Sequence, residues 1–188
     1  MTTPTPQSIL IIGAGDLGTA GLEGLVQHPS YSSAAQNPKI AILLRPATIN
    51  TADAAKQRQN AHLRTLGAVL QPGDVVAESE ADRAALFGRF EVVIGCSDMG
   101  LPAGTQVRIT RAVLLAAAGV GGKRLTRYFP WQWGLDYDVV GEGSAQDLFD
   151  EQLAVRGLLQ NQHRKQKGEK EGERETEWTG SSSARGSS

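Results

Sequence analysis

Apolar and polar residues alternate along the chain in blocks whose lengths are typical of buried strands separated by helices. Short apolar runs bounded by glycine, proline or charged residues predict strands that are buried on both faces of a parallel sheet. The chain contains five such runs, which we predict as strands at Ser8–Ile12, Lys39–Leu44, Ala68–Leu70, Phe90–Ile94 and Arg124–Phe129.

Segments with helical spacing or strong helix formers lie between and after these runs. The first extends from Leu17 to Val26 and ends at His28-Pro29, because proline cannot continue a helix. A polar connection over residues 30–38 follows it. We predict further helices at Asp53–Leu66, Glu80–Phe87, Pro102–Ala118 and Ala145–Gln162.

The alternation of strands and helices predicts an α/β fold with a doubly wound parallel sheet. Right-handed crossovers place the helices on both faces of such a sheet. Spacing alone leaves a flavodoxin-like strand order open as the alternative.

Composition divides the chain near residue 163. Its 188 residues allow one ordinary domain and at most a fragment of a second. We expect residues 1–7 to be a disordered N-terminus and residues 8–162 to form the folded domain. Residues 163–188 carry many charges, and Trp178 and Ala184 are their only apolar side chains, so we expect a disordered polar tail.

Charge and residue usage exclude several classes of protein. The single cysteine excludes an internal disulfide framework, and residues 1–7 lack a secretory signal, so we expect a cytoplasmic or nuclear protein. No apolar run is long enough to cross a membrane, and the net charge of −1 gives no reason to expect direct nucleic-acid binding. The three histidines are scattered without partners at ligand spacing, which predicts no metal site.

The first loop carries the main functional signal. Gly13-Ala14-Gly15-Asp16-Leu17-Gly18 is a G-x-G-x-x-G segment between a predicted strand and a predicted helix. Gly13 permits a tight turn, Gly15 lets backbone N–H groups approach a pyrophosphate, and Gly18 lets helix and strand pack closely. The helix N-terminus then supplies partial positive charge to the phosphates.

The residue after the second strand indicates which dinucleotide is bound. An acid there would favour NAD, whereas an arginine pairs with the 2′-phosphate of NADP. This chain has Arg45 there and no acid before Asp53. We therefore expect NADP(H), the alternative being that Arg45 is a solvated charge at a strand end.

Several segments in succession resemble the NmrA-like, isoflavone-reductase-like family of atypical short-chain dehydrogenases, most closely its fungal members. The last of them, a strand that ends in an aromatic-Phe-Pro-x-x-aromatic-Gly motif, is the most specific. The segments are Ile12–Gly18, Leu44–Thr48, Leu66–Asp74, Glu91–Gly95 and Arg127–Gly134. The resemblance implies an NADP(H)-binding Rossmann domain followed by a smaller substrate-binding portion, which we expect to be largely missing from this chain.

The resemblance also implies roles for individual residues. Ala14, Asp16 and Leu17 would hold the pyrophosphate together with the three glycines of the loop, and Arg45 would meet the 2′-phosphate. The remaining positions would lie near the adenine (Asp74, Val75), along the path to the nicotinamide ribose (Gly95, Cys96, Ser97) and at the border of the nicotinamide pocket (Phe129, Pro130, Trp131).

One departure from the family pattern bears on catalysis. The reductases of this family carry a catalytic lysine three residues beyond a phenylalanine on the last helix, whereas here Gln152 stands three residues beyond Phe149. An amide forms hydrogen bonds but does not exchange a proton near neutral pH. A reductase mechanism of the usual family type is therefore weakened, and the catalytic residues are unknown.

Four further features bear on whether residues near the site are functional or structural. The aromatic cluster from Tyr128 to Tyr137 would form a wall for the nicotinamide or an apolar substrate, or would pack against the substrate portion. Cys96 is more typical of a buried hydrophobe than of a redox-active thiol. Tyr137 has no lysine at helical spacing to complete a catalytic pair. We interpret Asp147, Asp150 and Glu151 as acids that favour the dipole of the last helix.

Three hypotheses follow. The chain is an NADPH-dependent reductase of a small apolar or aromatic molecule, a dinucleotide-sensing regulator that acts on a protein partner without turnover, or an inactive truncated product.

Overall fold

The computed structural model describes residues 8–32, 38–97, 100–120, 122, 125–143 and 148–164. The predicted disordered N-terminus, residues 1–7, lies outside the described residues, as do residues 165–188 of the predicted tail. His163 and Arg164, which the sequence assigned to that tail, are the last two described residues of a helix.

Five parallel strands form one sheet: β1 (Ser8–Ile12), β2 (Lys39–Leu44), β3 (Val69–Pro72), β4 (Val92–Gly95) and β5 (Arg127–Phe129). Their order is β3-β2-β1-β4-β5. The two strands that follow β1 in the chain thus lie on one side of it, and β4 lies on the other. This is the Rossmann order, and it excludes the flavodoxin-like alternative, in which β1 lies between β2 and β3.

The three central strands, β1, β2 and β4, are buried on both faces, as their apolar runs predict, whereas the edge strands β3 and β5 are exposed or half-buried. Successive side chains of β1 point to opposite faces, so Leu10 and Ile12 enter one cluster while Ile9 and Ile11 enter the other. The first cluster packs against helices α5 (Glu80–Phe87) and α6 (Thr105–Ala117). The second packs against α1 (Asp16–Gln27) and α4 (Ala54–Thr65). The doubly wound architecture is thereby confirmed.

Three one-turn helices and one longer helix complete the described elements. The short ones are α2 (Pro29–Ser32), α3 (Pro46–Ile49) and α7 (Tyr137–Val140). The last helix, α8, is described over residues 148–164. In the part of the chain that the structure describes, no helix has the length and apolarity needed to cross a membrane.

Several predicted boundaries are wrong. The third strand begins one residue later than predicted and continues to Pro72, and the fourth begins at Val92 rather than Phe90. The fifth begins at Arg127, because Leu125 and Thr126, which the prediction included, are described and lie outside the strand; Arg124 lies outside the described residues. The segment 30–38 is not wholly a connection, since its first residues belong to α2.

Candidate functional site

The carboxyl ends of the central strands meet at one edge of the sheet. Ile12 of β1 is in register with Leu43 of β2 and with Gly95 of β4, so the loops that leave these strands start side by side. Open α/β sheets bind ligands at this edge, on either side of the strand where the order reverses. Here that strand is β1, and its loop is the glycine-rich segment.

Two glycines of this loop are required by close packing. Gly13 has a φ of 99°, and a Cβ built on it would lie 2.8 Å from the carbonyl oxygen of Cys96. A Cβ on Gly18 would lie 2.2 Å from the carbonyl oxygen of Gly13. Both contacts are to backbone atoms that cannot turn aside, so these glycines let the loop fold tightly between β1, β4 and α1.

Gly15, between these two glycines, is different. Its φ of −67° suits any residue, and a Cβ built on it meets nothing within 4 Å. Gly15 is the N-cap of α1, and among the described residues no side-chain hydrogen bond caps this helix end. Free space beside uncapped N–H groups is what a helix N-terminus needs in order to accept an anion.

A cleft of about 550 Å³ opens over this loop. It brings together residues from the ends of β1, β2, β3 and β4. The predicted site residues that line it are Gly13, Ala14, Gly15, Arg45, Asp74, Val75 and Ser97. The other predicted residues do not line it: Asp16, Leu17, Gly18, Gly95, Cys96, Phe129, Pro130, Trp131 and Gln152.

The β2 side of the cleft is positively charged. Lys56, in the first turn of α4, lines the cleft together with Arg45, as do Thr48 and Gln59. Sequence reasoning missed Lys56, Thr48 and Gln59. The available signal was the N-terminus of the helix that follows β2, where Asp53 caps α4 by accepting the backbone N–H of Lys56. That hydrogen bond holds the pKa of Asp53 below its usual value.

Side chains of α4 also hold the loops around the cleft. Gln59 Nε2 donates to the carbonyl oxygen of Ala14 in the glycine loop. The buried Asn60 donates from Nδ2 to the carbonyl oxygen of Thr48, at 2.9 Å. Helix α4 therefore fixes the positions of the glycine loop and of the short helix α3.

The turn after β3 forms the far wall of the cleft. Asp74 Oδ1 accepts the backbone N–H groups of Val76 and Ala77, at 2.9 and 3.2 Å. The buried guanidinium of Arg83 donates to the carbonyl oxygens of Val75, at 3.0 Å, and of Glu78. The Asp74 carboxylate therefore shapes the turn, and Arg83 holds it from below.

Cys96 packs beneath the loop. It is buried, its carbonyl oxygen faces Gly13, and a Cβ on Gly18 would lie 3.5 Å from its own Cβ. Burial raises the pKa of its thiol to about 11, which keeps it protonated and unreactive at neutral pH. This supports the interpretation of Cys96 as a small buried hydrophobe.

The segment after β5 packs against the end of β4. A Cβ on Gly95 would lie 2.8 Å from the backbone nitrogen of Trp131, and Trp133 Nε1 donates to the Gly95 carbonyl oxygen at 2.9 Å. Phe129 and Trp133 are 44% and 47% exposed. Part of the aromatic cluster thus forms an apolar surface beside the carboxyl edge.

The two tyrosines of the cluster differ in burial, since Tyr128 is only half-buried. Tyr137 is buried and packs edge to face on Phe149, with ring centroids 5.8 Å apart. Burial raises the pKa of Tyr128 to about 12, and its hydroxyl lies 3.3 Å from that of Thr110.

Helix α8 contacts the site region through two adjacent residues. Gln152 is 0% exposed, and among the described residues neither its Nε2 nor its Oε1 has a hydrogen-bond partner. Glu151 accepts the backbone N–H groups of Gly104, Gln106 and Val107 at 3.1, 2.6 and 3.1 Å. The interpretation of Glu151 as an acid that serves the dipole of its own helix is therefore wrong, because its carboxylate caps the N-terminus of α6.

Comparison with known proteins places this arrangement in a family, although no protein-family model matches the chain. An NmrA-like family domain-containing oxidoreductase from Gibberella moniliformis (strain M3125 / FGSC 7600) is 45% identical over 172 residues. The match covers 92% of this chain and 49% of the relative. The chain thus spans about half the length of the curated relative it matches.

Solved structures show the same fold. A crystal structure of isoflavone reductase matches with a TM-score of 0.63 and 23% identity, covering 85% of this chain and 47% of its own. The binary complex of leucoanthocyanidin reductase and NADPH from Vitis vinifera matches with a TM-score of 0.59 and 18% identity, covering 82% and 46%. Over the half of its relatives that it spans, this chain belongs to the NmrA-like, isoflavone-reductase-like family.

Proposed function

We propose that the chain binds NADP(H) across the carboxyl edge of the sheet, with the diphosphate over the glycine loop. The observation that carries the proposal is the open space at Gly15, which lies between two tightly packed glycines and faces a cleft of about 550 Å³. Its uncapped helix end supplies N–H donors to phosphate oxygens. The leucoanthocyanidin reductase structure contains NADPH, which supports the same class of ligand.

The positions of two cations favour one direction of the ligand along the cleft. Arg45 and Lys56 lie on the β2 side of the loop, so the 2′-phosphate would bind between these two cations. The turn at Asp74 and Val75 would then contact the adenine.

The other half of the dinucleotide would extend toward β4. There we place the ribose path at Gly95, Cys96 and Ser97, and the nicotinamide border at Phe129 and Pro130. Asp16, Leu17 and Gly18 would support the diphosphate from the first turn of α1.

Titration with NADPH and NADH, followed by nucleotide fluorescence, tests the assignment of the cations. Hydrogen bonds to charged groups contribute about 1.5–3 kcal/mol, so Arg45→Met and Lys56→Met should each weaken NADPH binding about 10- to 100-fold and leave NADH binding unchanged. Arg64→Met, at an exposed position of the same helix, is the matched control. NADPH binding no tighter than NADH binding in the unmodified chain would contradict the proposal.

Gly15→Ala tests the position of the diphosphate. The methyl group has room in the protein, so thermal stability should be unchanged, but it would occupy the space through which phosphate oxygens approach the backbone. We expect loss of NADPH binding without loss of folding. If this variant binds NADPH as tightly as the unmodified chain, the diphosphate does not lie over the loop.

For the whole protein we propose an oxidoreductase that acts on a small apolar or aromatic molecule. The bound dinucleotide supplies or accepts the hydride. The exposed rings of Phe129 and Trp133, beside the proposed nicotinamide border, offer an apolar surface suited to such a substrate.

A second candidate, dinucleotide binding without turnover, is favoured by Gln152. This side chain is fully buried, is absent from the lining of the cleft, and cannot act as a general acid or base near neutral pH. NADPH oxidation measured with a panel of aromatic ketones and ethers separates the two candidates. Substrate-dependent oxidation well above the background rate supports the enzyme, and tight NADPH binding with no oxidation supports the second candidate.

A further inference from the structure

A buried glutamine behind the cleft is held through its backbone N–H, its carbonyl oxygen and its side-chain nitrogen. Gln106, in the first turn of α6, is 4% exposed. Its backbone N–H donates to Glu151 at 2.6 Å, and its carbonyl oxygen accepts the hydroxyl of Thr110 at 2.9 Å. Its side chain donates from Nε2 to the hydroxyl oxygen of Ser97 at 2.8 Å. The bonds to its backbone fix the turn that carries it, and the bond to Ser97 fixes the direction of its side-chain amide.

The partner of this glutamine lines the cleft. Ser97 follows β4, is 6% exposed, and belongs to the wall on the opposite side of the glycine loop from Arg45 and Lys56. A serine hydroxyl has one proton and two acceptor lone pairs. Because Gln106 occupies a lone pair of Ser97 as donor, it leaves the serine proton free. Among the described residues no acceptor takes that proton.

We propose that Gln106 is a positioning residue that makes Ser97 a hydrogen-bond donor to the nicotinamide-side half of the bound dinucleotide. The proposal rests on NADP(H) binding as described above, since the strand order places Ser97 beyond the diphosphate on the β4 side. The acceptor is an oxygen of the nicotinamide ribose or of its phosphate. Gln106 itself does not line the cleft and acts only through Ser97.

The anchor of this arrangement lies on α8. The Glu151 carboxylate accepts three N–H groups at the start of α6 and so fixes the turn that carries Gln106. A carboxylate at a helix N-terminus is stabilised by the helix dipole as well as by its hydrogen bonds. The direction of the Ser97 hydroxyl is therefore set by a helix that follows it by about 50 residues in the sequence.

Comparing two ligands shows which half of the dinucleotide depends on Ser97 and Gln106. NADPH contains both halves of the dinucleotide, whereas adenosine 2′,5′-bisphosphate contains only the adenine half with the 2′-phosphate. Loss of one neutral hydrogen bond should weaken NADPH binding about 3- to 10-fold in Ser97→Ala and in Gln106→Met, and leave the bisphosphate within about twofold. Because both changes remove the same bond, the double variant should bind NADPH no more weakly than either single variant.

Three controls complete the experiment, which uses the full chain. Gln160→Met makes the same change at an exposed position of α8 and should leave both affinities unchanged. Gln106→Glu keeps the length of the side chain but accepts the serine proton, so it should weaken NADPH binding even if Gln106→Met folds poorly. Thermal denaturation of every variant separates lost folding from lost affinity.

The outcomes are distinguishable. Unchanged NADPH affinity in Gln106→Met and Gln106→Glu, additive losses in the double variant, or equal weakening of the bisphosphate would each overturn the positioning role and leave NADP(H) binding intact. If the unmodified chain binds neither ligand, the proposed function fails and this inference fails with it. If the Ser97 and Gln106 variants lose NADPH affinity to the same extent and keep their affinity for the bisphosphate, both NADP(H) binding and the positioning role are supported.

Discussion

Among the glycines of α1, Gly18 is expected to be the one whose substitution lowers stability most. The same change at Gly24, six residues later in this helix, provides the comparison. In Gly18→Ala the new Cβ would lie 2.2 Å from the carbonyl oxygen and 3.0 Å from the carbonyl carbon of Gly13. Both atoms belong to a loop that is itself packed on β4, so helix and loop must separate by roughly 1 Å. Overpacking of this kind costs about 1–3 kcal/mol, and so close a backbone contact belongs at the upper end.

In Gly24→Ala the added methyl group meets nothing within 4 Å, because this residue is exposed on the middle of the same helix. Alanine is favoured over glycine in a helix interior by about 0.8–1 kcal/mol, and this gain applies to both variants. We therefore expect Gly18→Ala to lower the free energy of unfolding by about 2 kcal/mol and Gly24→Ala to raise it by about 1 kcal/mol.

Urea denaturation followed by far-ultraviolet circular dichroism measures both changes. Thermal denaturation should give shifts of opposite sign, on the order of 2–4 °C per kcal/mol for a domain of this size. Equal effects of the two substitutions would refute the reasoning, since they would mean that the contact between Gly18 and Gly13 does not limit the packing of α1.

Three further outcomes follow from buried groups. Gln152→Leu removes two buried polar atoms that have no partner among the described residues, so it should raise the free energy of unfolding by about 1–3 kcal/mol; a loss of stability would show that the amide has a partner. Cys96, whose pKa is raised to about 11 from a usual 9.0, should react with iodoacetamide at pH 8 about 100-fold more slowly in the native than in the urea-unfolded chain, and equal rates would contradict its burial. Arg83→Met should speed hydrogen exchange at the Val76 and Ala77 amides about 10-fold, because the turn loses its support, while exchange in β1 stays unchanged.

The elements that the sequence predicted best are those bounded by residues that stop a strand or helix for a local reason. β1 ends where Gly13 turns, β2 ends before Arg45 and Pro46, and α5 lies between the capping Ser79 and Gly88. All three have the predicted bounds. Here the local chemistry and the tertiary structure agree, so pattern alone is sufficient.

Where the bounds are wrong, position in the sheet overrides local preference. Pro72 resembles a strand terminator because it lacks an N–H group, yet it pairs with Leu44 at the end of β3. β3 is an edge strand, and an edge strand tolerates proline where its N–H would face away from the sheet. The edge position is set by the strand order, which spacing does not contain. The one-turn helices α2, α3 and α7 are too short to show a helical period.

The same limit applies to the cleft. Gly13, Gly15 and Arg45 were found because each follows a strand directly, and the ends of parallel strands share one edge. Lys56 and Gln106 were missed because their relation to the cleft depends on how α4 and α6 pack, although both lie in the first turn of a helix that follows one of the central strands.

The described residues separate the parts of the chain that would bind a dinucleotide from the part that would transfer a proton. The loop, Arg45 and Lys56 line one cleft on the β1–α4 side, whereas Gln152 lies buried on α8, outside that lining. A lysine in so buried a position would have a lowered pKa, because burial disfavours its charge, and would exchange protons near neutral pH. Glutamine in the same position does not titrate near neutral pH and so cannot act as an acid or a base. Substitutions that change NADP(H) affinity should therefore differ from those that change turnover in this protein. NADP(H) affinity and turnover have to be measured separately.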